Sequence, residues 1–542
     1  MGAHSEGYYT LAQGEVSHAE GWNTEATLRG SHAEGINTKS QNNGSHAEGK
    51  NTTASGDSSH TEGYNTEAMA AGAHAEGAGS KATNTATHAE GHATTASGPY
   101  AHSEGWDTKA TGTSAHAEGT NTSAGESAHA EGYNTSAQGL YAHAEGWSTN
   151  DSSDPRSALL ATGTAAHAEG KNTQAIGNQA HAEGYYTLAS GEVSHTEGWN
   201  TEATHRASHA EGHSTKATAN SAHAEGTSTK AQTNSSHAEG EFSYTEGNGG
   251  HAEGYWSKAK GWFTHAEGTH GAAIGSTSHV EGGRYRNADQ TIRGGGPNVA
   301  YGESSHAEGA LTRTGAINGE FGASATAHSE GMFTTATGIA AHAEGLGHYV
   351  ETGWKAYTHS TLYCPIIEGS GDKTCSAVIT GHKNIAEGDM FLLEHVEKPG
   401  RVYGITVTSA RKTEITSGDD EVTIIEFIGE IDTAASYDVK KVVPNDASGK
   451  AAHTEGIATI ASGDAAHAEG GVYNEVRTTA SAQAAHAEGG GTQAKSDGAH
   501  TEGVNTVAGR LSQADTTNTT KVAQIIAPAA RELGLPFSTA AE

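Results

Sequence analysis

The sequence predicts an all-β protein in which a 14-residue repeat coils into a parallel β-roll, a narrow form of β-solenoid. Three observations support this fold class. The tetrapeptide His-x-Glu-Gly occurs 27 times, and most copies follow the previous one after fourteen residues. A second pattern, x-Ala-x-Gly, falls seven residues after the motif histidine, as in residues 11–14 and 53–56. Small residues alternate with His and Glu inside the motif. Such a strict period indicates one small unit stacked many times.

The composition excludes several classes of protein. Only 34% of the 542 residues are hydrophobic and the net charge is −33, values that favour disorder in an ordinary chain. The fixed period argues against disorder, because a disordered chain has no need to return to one residue every fourteen. The glutamates of the 27 motifs account for most of the negative charge. The 31 Lys and Arg residues are scattered, so we expect no nucleic-acid partner.

Each repeat is predicted to contain two short extended segments. Side chains alternate between the faces of a strand, so Ser17 and Ala19 lie on one face and His18 and Glu20 on the other. We assign the small face to the interior, which leaves little room for a conventional core. A glycine ends each segment, and we expect both glycines to adopt positive φ at the corners of the coil.

The two outer faces of the predicted coil differ in sequence. His and Glu recur almost unchanged on one face, whereas residues on the other face vary freely. A face that contacts only water has no reason to be uniform, but a face that packs against identical copies does. We therefore predict that the His/Glu face is buried in a symmetric homo-oligomer, most simply a homotrimer. The predicted interface residues of the early turns are His18, Glu20, His32, Glu34, His46, Glu48, His60, Glu62, His74, Glu76, His88 and Glu90.

Stacking these glutamates has a cost. Carboxylates ~4.8 Å apart repel by roughly 1 kcal/mol per neighbouring pair even in water. We predict that a hydrogen-bonded His–Glu ladder between chains compensates, because an imidazole donates an N–H when neutral and carries charge when protonated. A charged, paired histidine has a raised pKa, so stability is expected to peak at mildly acidic to neutral pH.

A divalent metal site built from the same residues is the alternative to the ladder. The metal site is the less favoured interpretation of the sequence, because a closed site needs three or four convergent ligands and further residues that orient them. The prediction is therefore that the chain has no metal and no other cofactor.

Aromatic residues recur four residues after the motif histidine, at a corner of the coil. On such a surface they either stack on sugars or pack against a neighbouring subunit, and packing is the commoner role. The residues predicted to make glycan or subunit contacts are Trp22, Tyr64, Trp106, Trp147 and Trp199.

Breaks in the period divide the chain. His342 and His453 are 111 residues apart, and the segment between them has apolar, β-branched runs separated by turn residues. The predicted domains are a β-roll over residues 1–348, an inserted small β-barrel or sandwich over 349–451, a continued β-roll over 452–510, and a tail over 511–542.

Three local features are less regular. The 27-residue interval from His279 to His306 fits one degenerate turn. The tail carries an amphipathic pattern that predicts a short helix over residues 521–533. Cys364 and Cys375, the two cysteines, form either one local disulfide or two free thiols.

The sequence does not support an enzyme. His-x-Glu on a strand differs from the helical His-Glu-x-x-His of zinc proteases, and the glycines mark corners without forming a phosphate-binding loop. We therefore predict no catalytic residues. No charged segment followed by an apolar one is seen near Met1, and no apolar run is long enough to span a bilayer. We expect neither a signal peptide nor membrane insertion.

The Ser-x-Ala-x-Gly cadence of residues 17–21 and 31–35 resembles the head repeat of trimeric autotransporter adhesins, the YadA-like heads. It is also similar to the His-Ala-Glu-Gly repeats of phage tail appendages and of proteins that carry a peptidase G2-type self-cleaving chaperone. The resemblance covers residues 1 to about 348 and 452–509. It implies a left-handed roll, three chains side by side, and a role in surface attachment.

The chain departs from the adhesins in two ways. They have aliphatic residues where this chain has His and Glu, and they need a signal sequence and a C-terminal anchor, which are not seen here. We therefore predict a virion or extracellular fibre assembled in the cytoplasm, namely a phage tail fibre or contractile-injection-system fibre. It would bind a cell-surface glycan or protein receptor through the inserted domain, and an attachment partner at one end. The alternatives are a collar role for that domain, a secreted or surface adhesin, and a self-polymerising filament subunit.

Overall fold

A computed structural model describes residues 2–149, 156–283, 298–315, 325–357, 375–380, 385, 389–397, 402–414, 421–428 and 436–509. The described residues form β-strands and no helix, and so contain no helix able to cross a bilayer. The predicted class, an all-β parallel solenoid with a repeat of roughly fourteen residues, is confirmed. The chain divides into two compact units, Met1–Gly249 and Gly250–Glu542.

Each turn of the first unit contains a motif strand, which begins at the motif histidine, and a shorter second strand. Motif strands of successive turns pair in parallel and in register, so that His18 lies beside His32 and Glu20 beside Glu34. The second strands pair in the same way. Backbone hydrogen bonds therefore run from turn to turn, and the His, Glu and Gly residues of the motif stack on their equivalents in the next turn.

The first unit has seventeen described motif strands and seventeen second strands. The motif strands are His4–Tyr8, His18–Trp22, His32–Ile36, His46–Lys50, His60–Thr61, His74–Ala78, His88–His92, His102–Trp106, His116–Thr120, His129–Tyr133, His143–Trp147, His167–Lys171, His181–Tyr185, His195–Trp199, His209–His213, His223–Thr227 and His237–Ala238. The second strands are Leu11–Ala12, Glu25–Ala26, Lys39–Ser40, Thr53–Ala54, Glu67–Ala68, Lys81–Ala82, Thr95–Ala96, Lys109–Ala110, Ser123–Ala124, Thr135–Ala137, Leu159–Ala161, Gln174–Ala175, Leu188–Ala189, Glu202–Ala203, Lys216–Ala217, Lys230–Ala231 and Tyr244–Thr245.

The second unit repeats this arrangement. Its motif strands are His251–Ala252, His265–Ala266, His279–Gly282, His306–Ala310, His328–Met332, His342–Leu346, His453–Gly456, His467–Tyr473, His486–Gly490 and His500–Val504. Its second strands are Lys258–Ala259, Ala272–Ala273, Val299–Ala300, Arg313–Thr314, Thr334–Ala336, Asn445–Ala447, Ile460–Ala461, Thr479–Ala480, Gln493–Ala494 and Val507–Ala508. Val476–Arg477 forms a hairpin with the end of His467–Tyr473.

Small side chains fill the interior of the first unit. Ala19 and Ala26, one from each strand of a turn, are fully buried, and alanine occupies these positions in most later turns. Ser17 and Thr24 are buried beside them. The predicted assignment of the small face to the interior is therefore confirmed. Burial of one methyl group contributes only about 0.8 kcal/mol, so the turns depend heavily on their backbone hydrogen bonds.

The two glycines of a turn have different roles. The motif glycine has positive φ, 114° at Gly21, as predicted. The same prediction is wrong for the glycine of the second segment, because Gly14 does not have positive φ. That position needs glycine for space, since a Cβ on Gly14 would lie 1.8 Å from the carbonyl oxygen of Leu28 in the next turn. The other left-handed residues of the turn are Val16 and Asn23.

The interval between His279 and His306 in the second unit is not a turn of its own, so the prediction of a degenerate turn is wrong. The two histidines are direct neighbours in the sheet. Val299–Ala300 belongs to the turn that begins at His279, and it pairs with Ala272–Ala273 of the turn before. Residues 284–297 come between the two strands of this turn in the sequence, and they lie outside the described residues.

Six antiparallel strands form a closed sheet between His342 and His453. Phe391 and Tyr437 are buried in its core. His342 pairs directly with His453, so the parallel register of the solenoid resumes after this segment. The strands are His348–Tyr357, Cys375–Thr380, Met390–His395, Val402–Glu414, Glu421–Ile428 and Ser436–Val443.

Several sequence predictions fall outside the described residues. They are Cys364, and with it the disulfide question, and the tail over 511–542 with its predicted helix over 521–533. The domain limits and the hand of the coil stay predictions.

Replacing Gly35 with alanine is expected to destabilise the protein more than replacing Gly30. Both residues have positive φ, 115° at Gly35 and 67° at Gly30, so alanine is strained at either position. Only at Gly35 would the new Cβ also lie 2.0 Å from a carbonyl oxygen, that of Gly49; at Gly30 the nearest atom is 3.9 Å away. Thermal denaturation of Gly35→Ala and Gly30→Ala makes the comparison. Equal losses would contradict a role for close backbone approach.

Candidate functional site: the histidine and glutamate columns

The motif histidines of the first unit stack into one column, here called the histidine column, which runs from His4 to His237. Neighbouring ring centroids lie 4.5–5.0 Å apart. Most neighbouring rings are nearly parallel, as in the 5° between His74 and His88, and a few are tilted, as in the 48° between His88 and His102. In-register pairing of the motif strands causes this stacking, because it places each imidazole next to the imidazole of the preceding turn.

The motif glutamates, two residues after each histidine, form a second column beside the first, here called the glutamate column. His18 Nε2 lies 3.4 Å from Glu20 Oε2, within hydrogen-bond distance. The other predicted pairs that come within 4.0 Å are His32–Glu34, His46–Glu48, His74–Glu76 and His88–Glu90.

The sixth predicted pair is looser. His60 occupies its place in the histidine column, stacked between His46 and His74, but no ion pair joins it to Glu62 among the described residues. The pairing of His with Glu is thus made within one chain. Its extension between chains stays a prediction.

Several imidazoles of the column have a lowered pKa, which favours their neutral form. Burial, and then the neighbouring His32 and His60, lower the pKa of His46 to about 4. Burial is also the first cause of a lowered pKa at His74, His129, His167, His195 and His209. The expectation of a raised histidine pKa is therefore wrong for these residues. The same shift occurs in the second unit at His279, His306, His328, His342 and His467.

One nitrogen of each imidazole lacks a partner. From His32 to His223, all fourteen motif histidines have a buried Nε2 atom without a hydrogen bond. A buried polar atom left unpaired costs about 1–3 kcal/mol. The adjoining carboxylates are close, but most lie beyond hydrogen-bond distance. A single chain therefore leaves the column incomplete.

The glutamate column carries charge that the histidines do not cancel. Neutral imidazoles offer at most an N–H dipole to the carboxylates, which repeat once per turn. The columns are also open to solvent, since the side chains of His74 and Glu76 are 35% and 39% exposed. His74, Glu76 and His88 place three ligand atoms within 4.8 Å of one another, so residues able to hold a metal ion do converge here.

The predicted corner aromatics lie on the surface. Trp22, Trp106 and Trp199 are 55–60% exposed, and Tyr64 and Trp147 are also exposed. They pack against other side chains of the same corner and do not cover the coil. The contact of these aromatic residues with glycans or with other subunits stays a prediction.

One stretch of this corner is continuous. Lys171 Nζ lies 4.2 Å from the ring centroid of Trp147 and 5.1 Å from that of Tyr185. The rings of Tyr185 and Trp199 are 5.9 Å apart. Cation–π and edge-to-face contacts of this kind hold the exposed rings in place.

Arg156 is not among the site residues predicted from the sequence. It lies beside this corner. Its Nη1 donates hydrogen bonds to Asn200 Oδ1 at 2.8 Å and Glu202 Oε1 at 3.1 Å. A shallow cleft is lined by Arg156, Tyr186, Trp199, Asn200, His213 and Ser214. The only signal in the sequence is that the ten-residue break in the period near residues 150–159 contains a basic residue.

Comparison with known proteins gives no matching family model and no matching curated relative.

Acidification is expected to destabilise the protein. A histidine in the unfolded chain takes up a proton near pH 6.5, whereas folded His46 does so near pH 4. Its contribution to stability is fully present above pH 6.5 and is lost as the pH falls through about 4. The melting temperature should hence be highest at neutral to mildly alkaline pH, and not on the acidic side as the sequence suggested. Melting curves recorded with a chelator present would measure this.

The matched controls are two triple variants. His46→Asn, His129→Asn and His209→Asn together should flatten the acid-side loss of melting temperature. His92→Asn, His205→Asn and His213→Asn, which replace exposed histidines outside the column, should leave it unchanged. A wild-type melting temperature that rises on acidification would refute this assignment.

Proposed function

We propose that the chain is the subunit of a homotrimeric structural fibre that attaches to a cell surface, as a phage tail fibre or a contractile-injection-system fibre does. A β-solenoid is compatible with such a structural role. One observation carries the proposal: the histidine and glutamate columns keep the same residues turn after turn on a half-exposed face. A surface that served only solvation would not need this uniformity.

Association through this face would complete the columns. The buried Nε2 atoms from His32 to His223 lack hydrogen-bond partners in the single chain, and further copies would bring polar groups to the same face. Three copies around one axis give each column the same environment, which a closed cyclic symmetry requires. The charge of the glutamates must be offset at the same time, by cations or by protons.

The rest of the surface would serve attachment. Exposed aromatics such as Trp106 and Trp199 have the open ring faces on which sugars stack. The closed antiparallel sheet between His342 and His453 has its own apolar core, and we assign receptor binding to it. The fibre would be part of a virion or lie outside the cell, after assembly in the cytoplasm.

Solution mass and site-directed cross-linking test the trimer. The expected mass by light scattering is three times the chain mass of 55.3 kDa. In a background of Cys364→Ser and Cys375→Ser, oxidation of Glu62→Cys should give covalently joined chains, because Glu62 lies on the proposed shared face. Glu126→Cys, at an exposed corner, should stay uncrosslinked. A monomeric mass for the wild-type chain would rule the trimer out.

A further inference from the structure

Ligand atoms converge repeatedly where the two columns meet. A ring nitrogen of one motif histidine, a carboxylate oxygen of its glutamate and a ring nitrogen of the next histidine lie within 4.8 Å of one another. In the first unit this occurs at His74, Glu76 and His88, at His116, Glu118 and His129, and at His209, Glu211 and His223. In-register stacking therefore brings together ligand atoms that the sequence was not expected to place close to one another.

We propose that these groups bind divalent transition-metal ions, with Zn²⁺ as the reference ion. Each ion would take two imidazole nitrogens and one carboxylate oxygen, and a water molecule would complete a tetrahedral shell. All three protein ligands come from one chain, so the site does not depend on the trimer.

The distances require only local adjustment. Zinc bonds of about 2.0–2.1 Å place tetrahedral ligand atoms roughly 3.3 Å apart. His74 Nε2 and Glu76 Oε2 are 3.5 Å apart, close to that value. His88 must turn about its Cβ–Cγ bond, because its ring lies parallel to that of His74 at 4.7 Å. The column accommodates such rotation, since the rings of His88 and His102 are already tilted by 48°.

The unpaired nitrogens point independently to a ligand. Nε2 of His74 and Nε2 of His88 are both buried without a hydrogen bond, and a metal ion would satisfy a lone pair that the chain leaves unused. The donor set also selects the ion. Imidazole with carboxylate suits Zn²⁺, Cu²⁺ or Ni²⁺, whereas Mg²⁺ and Ca²⁺ prefer oxygen ligands alone.

The glutamate column favours cations of any kind. Its carboxylates repeat at about 4.8 Å in a chain of net charge −33. A diffuse cation atmosphere and specific sites must therefore be separated by experiment. Each specific site uses two histidines, so the column can hold at most one ion per two turns, whereas a diffuse atmosphere has no such limit.

Calorimetric titration of the full chain with Zn²⁺ tests the proposal. Saturable uptake of several ions per chain is expected, and a large excess of Ca²⁺ should not displace them. The variant Glu76→Gln, Glu118→Gln and Glu211→Gln should lose about three ions per chain, one for each ligand set removed. The matched variant Asp57→Asn, Glu126→Gln and Glu192→Gln removes the same charge at exposed corners and should lose none.

The result that would overturn the proposal is uptake that does not saturate, that Ca²⁺ reverses, or that falls equally in both variants. A spectroscopic measurement on the wild-type chain keeps the test independent of variant folding. Cu²⁺ bound as proposed should show nitrogen hyperfine coupling in its electron paramagnetic resonance spectrum. A Cu²⁺ spectrum without nitrogen hyperfine coupling would also overturn it.

Discussion

In-register hydrogen bonding between successive turns is the constraint on which the rest of this structure depends. Because each motif strand pairs with the motif strand of the next turn, the motif residues stack on residues of the same kind, as His18 does on His32. In the interior this is favourable, since Ala19 and its equivalents fit a narrow space that larger residues would force apart. On the outside the same pairing stacks imidazole on imidazole and carboxylate on carboxylate. Repulsion between the stacked carboxylates costs free energy.

The histidine column offsets only part of the repulsion between the stacked carboxylates. Burial and the neighbouring histidines lower the pKa of His46 and His74, so these imidazoles are poor counter-charges for the glutamates. From His32 to His223 they offer Nε2 atoms without a hydrogen bond, beside the carboxylates of the glutamate column. Further copies of the chain and divalent cations both supply what is missing, and the two are compatible, because three glutamate columns around one axis would themselves need cations between them.

The period and the alternation of small and polar residues were enough to predict the solenoid and the buried face of Ser17 and Ala19. Other features depend on distances that a one-dimensional pattern does not contain. Gly14 is needed because the next turn passes close to it, and not for its φ. The neutral state of His46 follows from burial and from His32 and His60. The neighbour of His279 is fixed by strand pairing across an insertion, which spacing alone assigned wrongly.

The central claim is that the columns are completed from outside the chain. A cryo-electron microscopy map of the purified full-length protein tests it most directly. The account predicts density against the motif histidines and glutamates, either from further copies of the chain or from ions between the ligand atoms. A map of a lone chain whose columns face only bulk solvent would contradict it.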